Sequence, residues 1–147
     1  MKKITTVEEG VKELLEVNEI KGVGPWRLVL AGEGGLTDRL EYDGKSIPLY
    51  FWRSDPRLRS LACKVAPRIG ELCASKQTCA VPRSFGFKRL LFMELDTACM
   101  LLSSRPSHMV AFRNGEAINC ICHMQNDTVA TLELTSALPE GTRWQRK

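Results

Sequence analysis

HMVAFRNGEAINCICHMQNDTVATLELTS, from His108 to Ser136, is the stretch on which the fold turns. Two reversals divide it. Asn114-Gly115 suits a two-residue hairpin, because both residues accept positive φ at small cost, and Gln125-Asn126-Asp127 marks a second turn. Between the turns, apolar and polar side chains alternate with the period of two of a half-buried strand. Ile118, Cys120, Cys122 and Met124 share one face, and Ala130, Leu132 and Leu134 continue it on the next strand. Asn119, His123, Thr131, Glu133 and Thr135 fall on the opposite face, together with Ile121 and Val129. The pattern predicts a three-stranded meander with one packed face and one open face.

Lys88 to Ser103, just upstream, is apolar around nearly its whole circumference, which predicts a helix buried on most sides. Ser54-Asp55-Pro56 predicts a helix start, with a side-chain cap and a proline at an early position. Leu58, Leu61, Ala62 and Val65 carry that helix on, Pro67 kinks it, and Ile69, Leu72 and Cys73 form a second segment. Gln77 to Gly86 reads as a loop or a short strand. Arg39 to Tyr42 and Ile47 to Trp52 form a hairpin across Asp43-Gly44, with Pro48 marking an edge strand. Trp26 to Ala31 is a short strand, and Thr6 with Glu9 caps an amphipathic helix over residues 7–20. The order predicts an α+β fold: a largely antiparallel mixed sheet with helices on one face, over a single domain of residues 1–147.

Composition narrows the function classes. Charged residues make up 26% and the net charge is +4, spread along 147 residues, which is not the concentrated basic face of a nucleic-acid binder. The cluster Arg53/Arg57/Arg59 could meet a phosphate or carboxylate, but a solvated charged face is the simpler reading. Thr5-Thr6-Val7-Glu8-Glu9 stands where a secretory leader needs apolar residues. No run reaches the roughly 18 apolar residues of a membrane span. A cytoplasmic location is expected, with the six cysteines reduced.

Val11-Lys12-Glu13-Leu14-Leu15 with Glu19-Ile20, the series Leu101-Leu102, Pro106, Val110, Ala111, and the strand VATLELTS (Val129 to Ser136) together resemble the C-terminal, substrate-side domain of the glucose–fructose oxidoreductase/inositol dehydrogenase family. The resemblance implies that Trp26 to Ala31 begins a large open sheet whose exposed face packs against another subunit. It also implies a further strand beyond Arg146-Lys147, so that the sheet is slightly shortened here. The family holds its dinucleotide on a separate Rossmann domain with a glycine fingerprint. The glycines here, Gly22, Gly24, Gly32, Gly34 and Gly35, do not form one, and the family's lysine before a proline has no counterpart. In the buried helix, the family's histidine position falls on Glu94, its preceding glycine on Phe92, and its last aspartate on Thr97 or Asp96. Glutamate does not reproduce an imidazole that exchanges a proton near neutrality.

These departures set the expectations for function. No catalytic residue, cofactor or metal is assigned. Cys120 and Cys122 do not converge with His123, because alternation puts them on opposite faces. The candidate ligand-binding residues are Glu94, Asp96 and Thr97, with the alternative that Glu94 is simply paired with Arg89 or another base. The candidate dimer face is Asn119, Ile121, His123, Val129, Thr131 and Glu133. The expected role is a stand-alone oxidoreductase C-terminal-like domain that binds a ligand or partner, or self-associates as a homodimer, without catalysis of its own. The alternative is the substrate-side part of a split NAD(P)-dependent sugar or polyol oxidoreductase, completed by a Rossmann-domain partner protein.

Overall fold

The computed structural model describes residues 26–32, 35–42, 44–65, 68, 70, 72–143 and 145–147, so the helix expected over residues 7–20 and the kink at Pro67 lie outside the described residues. The described chain divides into two compact units, one formed by residues up to 31 together with 37–49, the other by 32–36 and 50–147.

The first unit is a small antiparallel sheet of β1 (Trp26–Val29), β2 (Asp38–Tyr42) and β3 (Lys45–Leu49), in that order. Trp26 to Ala31 therefore does not open the large sheet, as the family resemblance implied. It pairs with its neighbour in sequence, Trp26 opposite Tyr42 and Val29 opposite Arg39. Gly44, at φ +70°, supplies the left-handed residue that the β2–β3 turn requires. Pro48 sits on an edge strand, where a missing donor costs least. The second strand of this hairpin ends at Leu49 rather than Trp52, because Phe51–Ser54 winds into a 3-10 turn that carries Trp52 into the core of the second unit.

The second unit is built on a five-stranded mixed sheet. Its strands are β4 (Ala74–Pro82), β5 (Pro106–Asn114), β6 (Ala117–Met124), β7 (Val129–Leu138) and β8 (Gln145–Arg146), in the spatial order β5-β6-β7-β4-β8. The meander β5-β6-β7 stands where the sequence puts it. Gly115 (φ +55°) and Asp127 (φ +63°) take the left-handed conformations that close its two turns. Ile118, Cys120, Cys122, Met124, Ala130, Leu132 and Leu134 are all buried, while Asn119, Ile121 and His123 are exposed. β7 lies parallel to β4, with Thr78 opposite Glu133, and β8 is antiparallel to β4.

β4 is where the reading of Gln77 to Gly86 as a loop or short strand is corrected. Ala74–Pro82 is a nine-residue strand inside the sheet, between β7 and β8, followed by a 3-10 turn, Arg83–Phe85. Its inward residues are Gln77, Cys79 and Val81, and a polar residue at an inward position blurs the alternation that identifies a strand. The register shift between Ala80 and Pro82 accommodates the proline at the strand's end.

Among its described residues, two α-helices stand out. α1 (Pro56–Ser60) starts as its sequence predicts, with Pro56 in its first turn and Asp55 Oδ1 accepting the Arg57 amide at 2.9 Å. The expected long continuation becomes a π-helical turn, Leu61–Val65, and Leu72 and Cys73 are not helical. α2 (Phe87–Leu102) crosses from β4 to the meander and packs on the buried face through Leu90, Met93, Ala98 and Leu102. It ends where Ser103 turns left-handed (φ +49°) and its amide reaches the Cys99 carbonyl. Asn126 Nδ2 donates to the Leu102 carbonyl at 3.2 Å, joining the helix end to the second hairpin. Among the described residues, no helix is long and apolar enough to cross a membrane.

Burial sorts the cysteines. It pushes the Cys79 thiol up to about 12, with the nearby Glu94 carboxylate adding to the effect, and the Cys122 thiol up to about 11. Cys63 and Cys73 are exposed. Alkylation at mildly alkaline pH should label Cys63 and Cys73 in the folded protein and reach Cys79, Cys120 and Cys122 only after denaturation. Peptide mass spectrometry of the two samples checks this.

Candidate functional site

Glu94, Asp96 and Thr97 all lie on α2, and the helix divides them. Glu94 and Thr97, three residues apart, face the sheet and are fully buried, at 0% and 1% exposure. Both are taken by one cation from β8. Arg146 Nη2 donates to Glu94 Oε1 at 2.6 Å and to Thr97 Oγ1 at 3.0 Å. Its Nε reaches Oε1 and Oε2 at 3.0 and 3.2 Å. Thr97 Oγ1 in turn donates to the Met93 carbonyl at 2.8 Å. Gln77 of β4, assigned with its amide nitrogen toward the helix, donates to Glu94 Oε2 at 2.9 Å. The base that pairs with Glu94 is thus Arg146 and not Arg89, whose guanidinium lies 5.0 Å over the Phe85 ring.

This cluster is a closed one. Both Glu94 oxygens meet donors, and the carboxylate has no surface on which to meet a substrate. Removing an ion pair's partner inside a fold is costly, because the remaining charge stays desolvated.

Asp96 points elsewhere. Its Oδ2 accepts from Trp52 Nε1 at 2.7 Å and from Arg53 Nε at 2.8 Å, and Arg53 Nη2 contacts Oδ1. Burial alone would raise its carboxyl, but the hydrogen bonds from Arg53 and Trp52 and the guanidinium charge outweigh it and hold the group below the usual carboxylate range. Arg53 also lies 4.5 Å over the Tyr50 ring. Tyr50, Trp52 and Phe92 form an aromatic group, with Phe92 centroids 6.2 and 6.0 Å from the other two. Phe92, which stands at the family's small-residue position, fills space there.

Beside the buried pair opens a cleft of ≈ 590 Å³, lined by Phe51, Trp52, Phe85 and Met93, by the cations Arg57, Arg89, Arg146 and Lys147, and by Asp55, which pairs with Arg57 at 3.0 Å. Its aromatic walls and guanidinium rim suit an anionic group on an apolar body. Arg146 and Trp52 belong to both the cleft and the polar clusters. Sequence reasoning missed this role of Arg146, since nothing local distinguishes it from the neighbouring basic residues.

The residues of the candidate dimer face all lie on the open side of the five-stranded sheet. The registers Ile121 opposite Thr131, Asn119 opposite Glu133 and His123 opposite Val129 bring them together. β5 adds Val110 opposite Ile121 and Phe112 opposite Asn119. Glu133 is held by Lys76 at 2.7 Å and Thr78 at 3.1 Å.

No family model and no curated protein matches the sequence. Among solved structures, the chain is similar to a candidate myo-inositol dehydrogenase from Sinorhizobium meliloti 1021, with a TM-score of 0.55 and 16% identity. The match covers 67% of this chain and 37% of that one, so it spans well under two thirds of the other protein. At this identity the likeness is one of fold.

Two outcomes follow from the polar clusters. Arg146→Met should lower stability by about 3 kcal/mol or more, and the double variant E94L/R146M should recover most of the loss, as read from urea unfolding. For Asp96, the folded carboxyl lies below its unfolded value of about 3.9, so its stabilisation is present above that value and is lost as pH falls through the folded one. Asp96→Asn should therefore destabilise at neutral pH, and its difference from the unsubstituted protein should shrink in acid, measured by unfolding across that range.

Proposed function

We propose that the chain is a stand-alone domain related to the substrate-side half of sugar and inositol dehydrogenases, without catalysis of its own, which self-associates through the open face of its five-stranded sheet. Two observations support the first part. The fold likeness covers a minority of a dehydrogenase chain. The helix positions that the family resemblance assigns to substrate are filled by Phe92 packing and by the Glu94–Arg146 pair.

The observation that carries the self-association is the apolar row on the outer strands. Val110, Phe112 and Ile121 are 47%, 70% and 44% exposed on one face. β5 is also an edge strand with hardly a buried residue, and Met109 is exposed on its other side. A contiguous apolar patch on a sheet edge marks an association surface. A second copy offers the same patch about a twofold axis, which makes the contact self-complementary.

A second reading is the substrate-side part of a split NAD(P)-dependent sugar or polyol oxidoreductase. The fold likeness to part of a dehydrogenase chain supports it. Adding such a partner and following nicotinamide absorbance with a polyol panel separates it from the first.

Sedimentation velocity or light scattering at micromolar concentration should show a dimer. Val110→Glu and Ile121→Glu should each give a monomer with unchanged circular dichroism. A monomeric unsubstituted protein throughout that range would refute the self-association.

A further inference from the structure

We propose that the cleft between α2, the Phe51–Ser54 turn and β8 is a binding site for a small organic anion, a carboxylate or phosphate carried on an aromatic or otherwise apolar body. Its described walls all belong to the second unit. Three separated stretches of chain converge there. The 3-10 turn brings Phe51 and Trp52, and α2 brings Arg89 and Met93, one helical turn apart on a shared face. β8 brings Arg146, with Lys147 following it. A volume of ≈ 590 Å³ lies within the usual range of small-molecule sites, and the apolar walls would bury the body of such a ligand.

The charge of the lining is lopsided. Among the described residues, four cations, Arg57, Arg89, Arg146 and Lys147, stand against one acid, Asp55. Two of the guanidinium groups are held in place before any ligand arrives. Arg146 is fixed through Nε and Nη2 by Glu94 and Thr97, yet its side chain stays 19% exposed and forms part of the wall. Arg89 lies over the Phe85 ring, 5.0 Å from its centroid. A guanidinium positioned in advance loses little side-chain entropy on binding, and its planar fork suits carboxylate and phosphate oxygens.

Asp55 reports how these charges act on an anion at the rim. The side-chain hydrogen bond from Arg57 holds its carboxyl below the usual range against the opposing effect of burial, and the charges of Arg57 and Arg146 both add to the lowering. A ligand carboxylate in the cleft meets the same two cations. No residue of the open sheet face is among the described residues lining it, so the site does not rest on the proposed self-association.

The test is calorimetric titration of the full chain with 2-naphthoate and 2-naphthyl phosphate, beside the neutral 2-naphthylmethanol and the cationic 2-naphthylmethylamine. One or both anions should saturate at one per chain, and the neutral and cationic analogues should bind at least about tenfold more weakly. Added salt should weaken the anions selectively. Two substitutions that leave the circular dichroism unchanged should act in opposite directions. Arg57→Gln should weaken anion binding at least about threefold, and Asp55→Asn, which keeps an oxygen for the Arg57 amide but removes a competing carboxylate, should strengthen it by a similar factor. The ratio of the two anion affinities assigns the site to carboxylate or phosphate. No saturable binding of either anion, equal binding of the neutral analogue, or affinities that neither substitution changes would overturn the proposal.

Discussion

The ion pair between Arg146 and Glu94 organises the second unit. Arg146 stands on a two-residue strand that pairs with β4, opposite Cys79. Glu94 stands on the helix that covers the sheet, and Gln77 of β4 reaches the same carboxylate. The Glu94 carboxylate thus joins α2 to β8 through Arg146 and to β4 through Gln77 at a single buried point. An isolated carboxylate at that depth would carry a heavy desolvation penalty. The two donors from Arg146, with Gln77, offset it. The same arrangement turns Glu94 and Thr97 toward the sheet.

What was legible in the sequence follows from where the physical signal is local. The β5-β6-β7 meander was readable residue by residue, because one face is buried, one is not, and each turn has its own chemistry at Gly115 and Asp127. α2 was readable from its apolar circumference, and the start of α1 from Asp55 and Pro56. β4 was not, since its inward residues include Gln77 and its neighbours are distant in sequence. The placement of β1 outside the large sheet was also hidden. A short apolar run carries no mark of the sheet it will join, and the local pairing with β2 prevailed. At the candidate site, the common direction of Glu94 and Thr97 followed from helical spacing, whereas Asp96 turned toward Trp52 and Arg53. The base that neutralises Glu94 lay 52 residues away and left no local trace.

The five-stranded sheet has two unlike faces. Its inner face is packed against α2, with the positions that the family resemblance gives to substrate filled by an aromatic ring and an ion pair. Its outer face keeps exposed apolar side chains on β5 and β6, beside a histidine pair that a bulge has brought into register.

The parallel pairing of β4 with β7 also governs how the chain reaches this form. The meander assembles from adjacent segments, each closing a short loop. β4 meets its neighbour only after 55 residues of intervening chain, as between Thr78 and Glu133, and loop-closure entropy opposes that encounter. Topology of this kind slows the search. The docking of β4, with Gln77 and Cys79 going into the interior, bears that entropic cost.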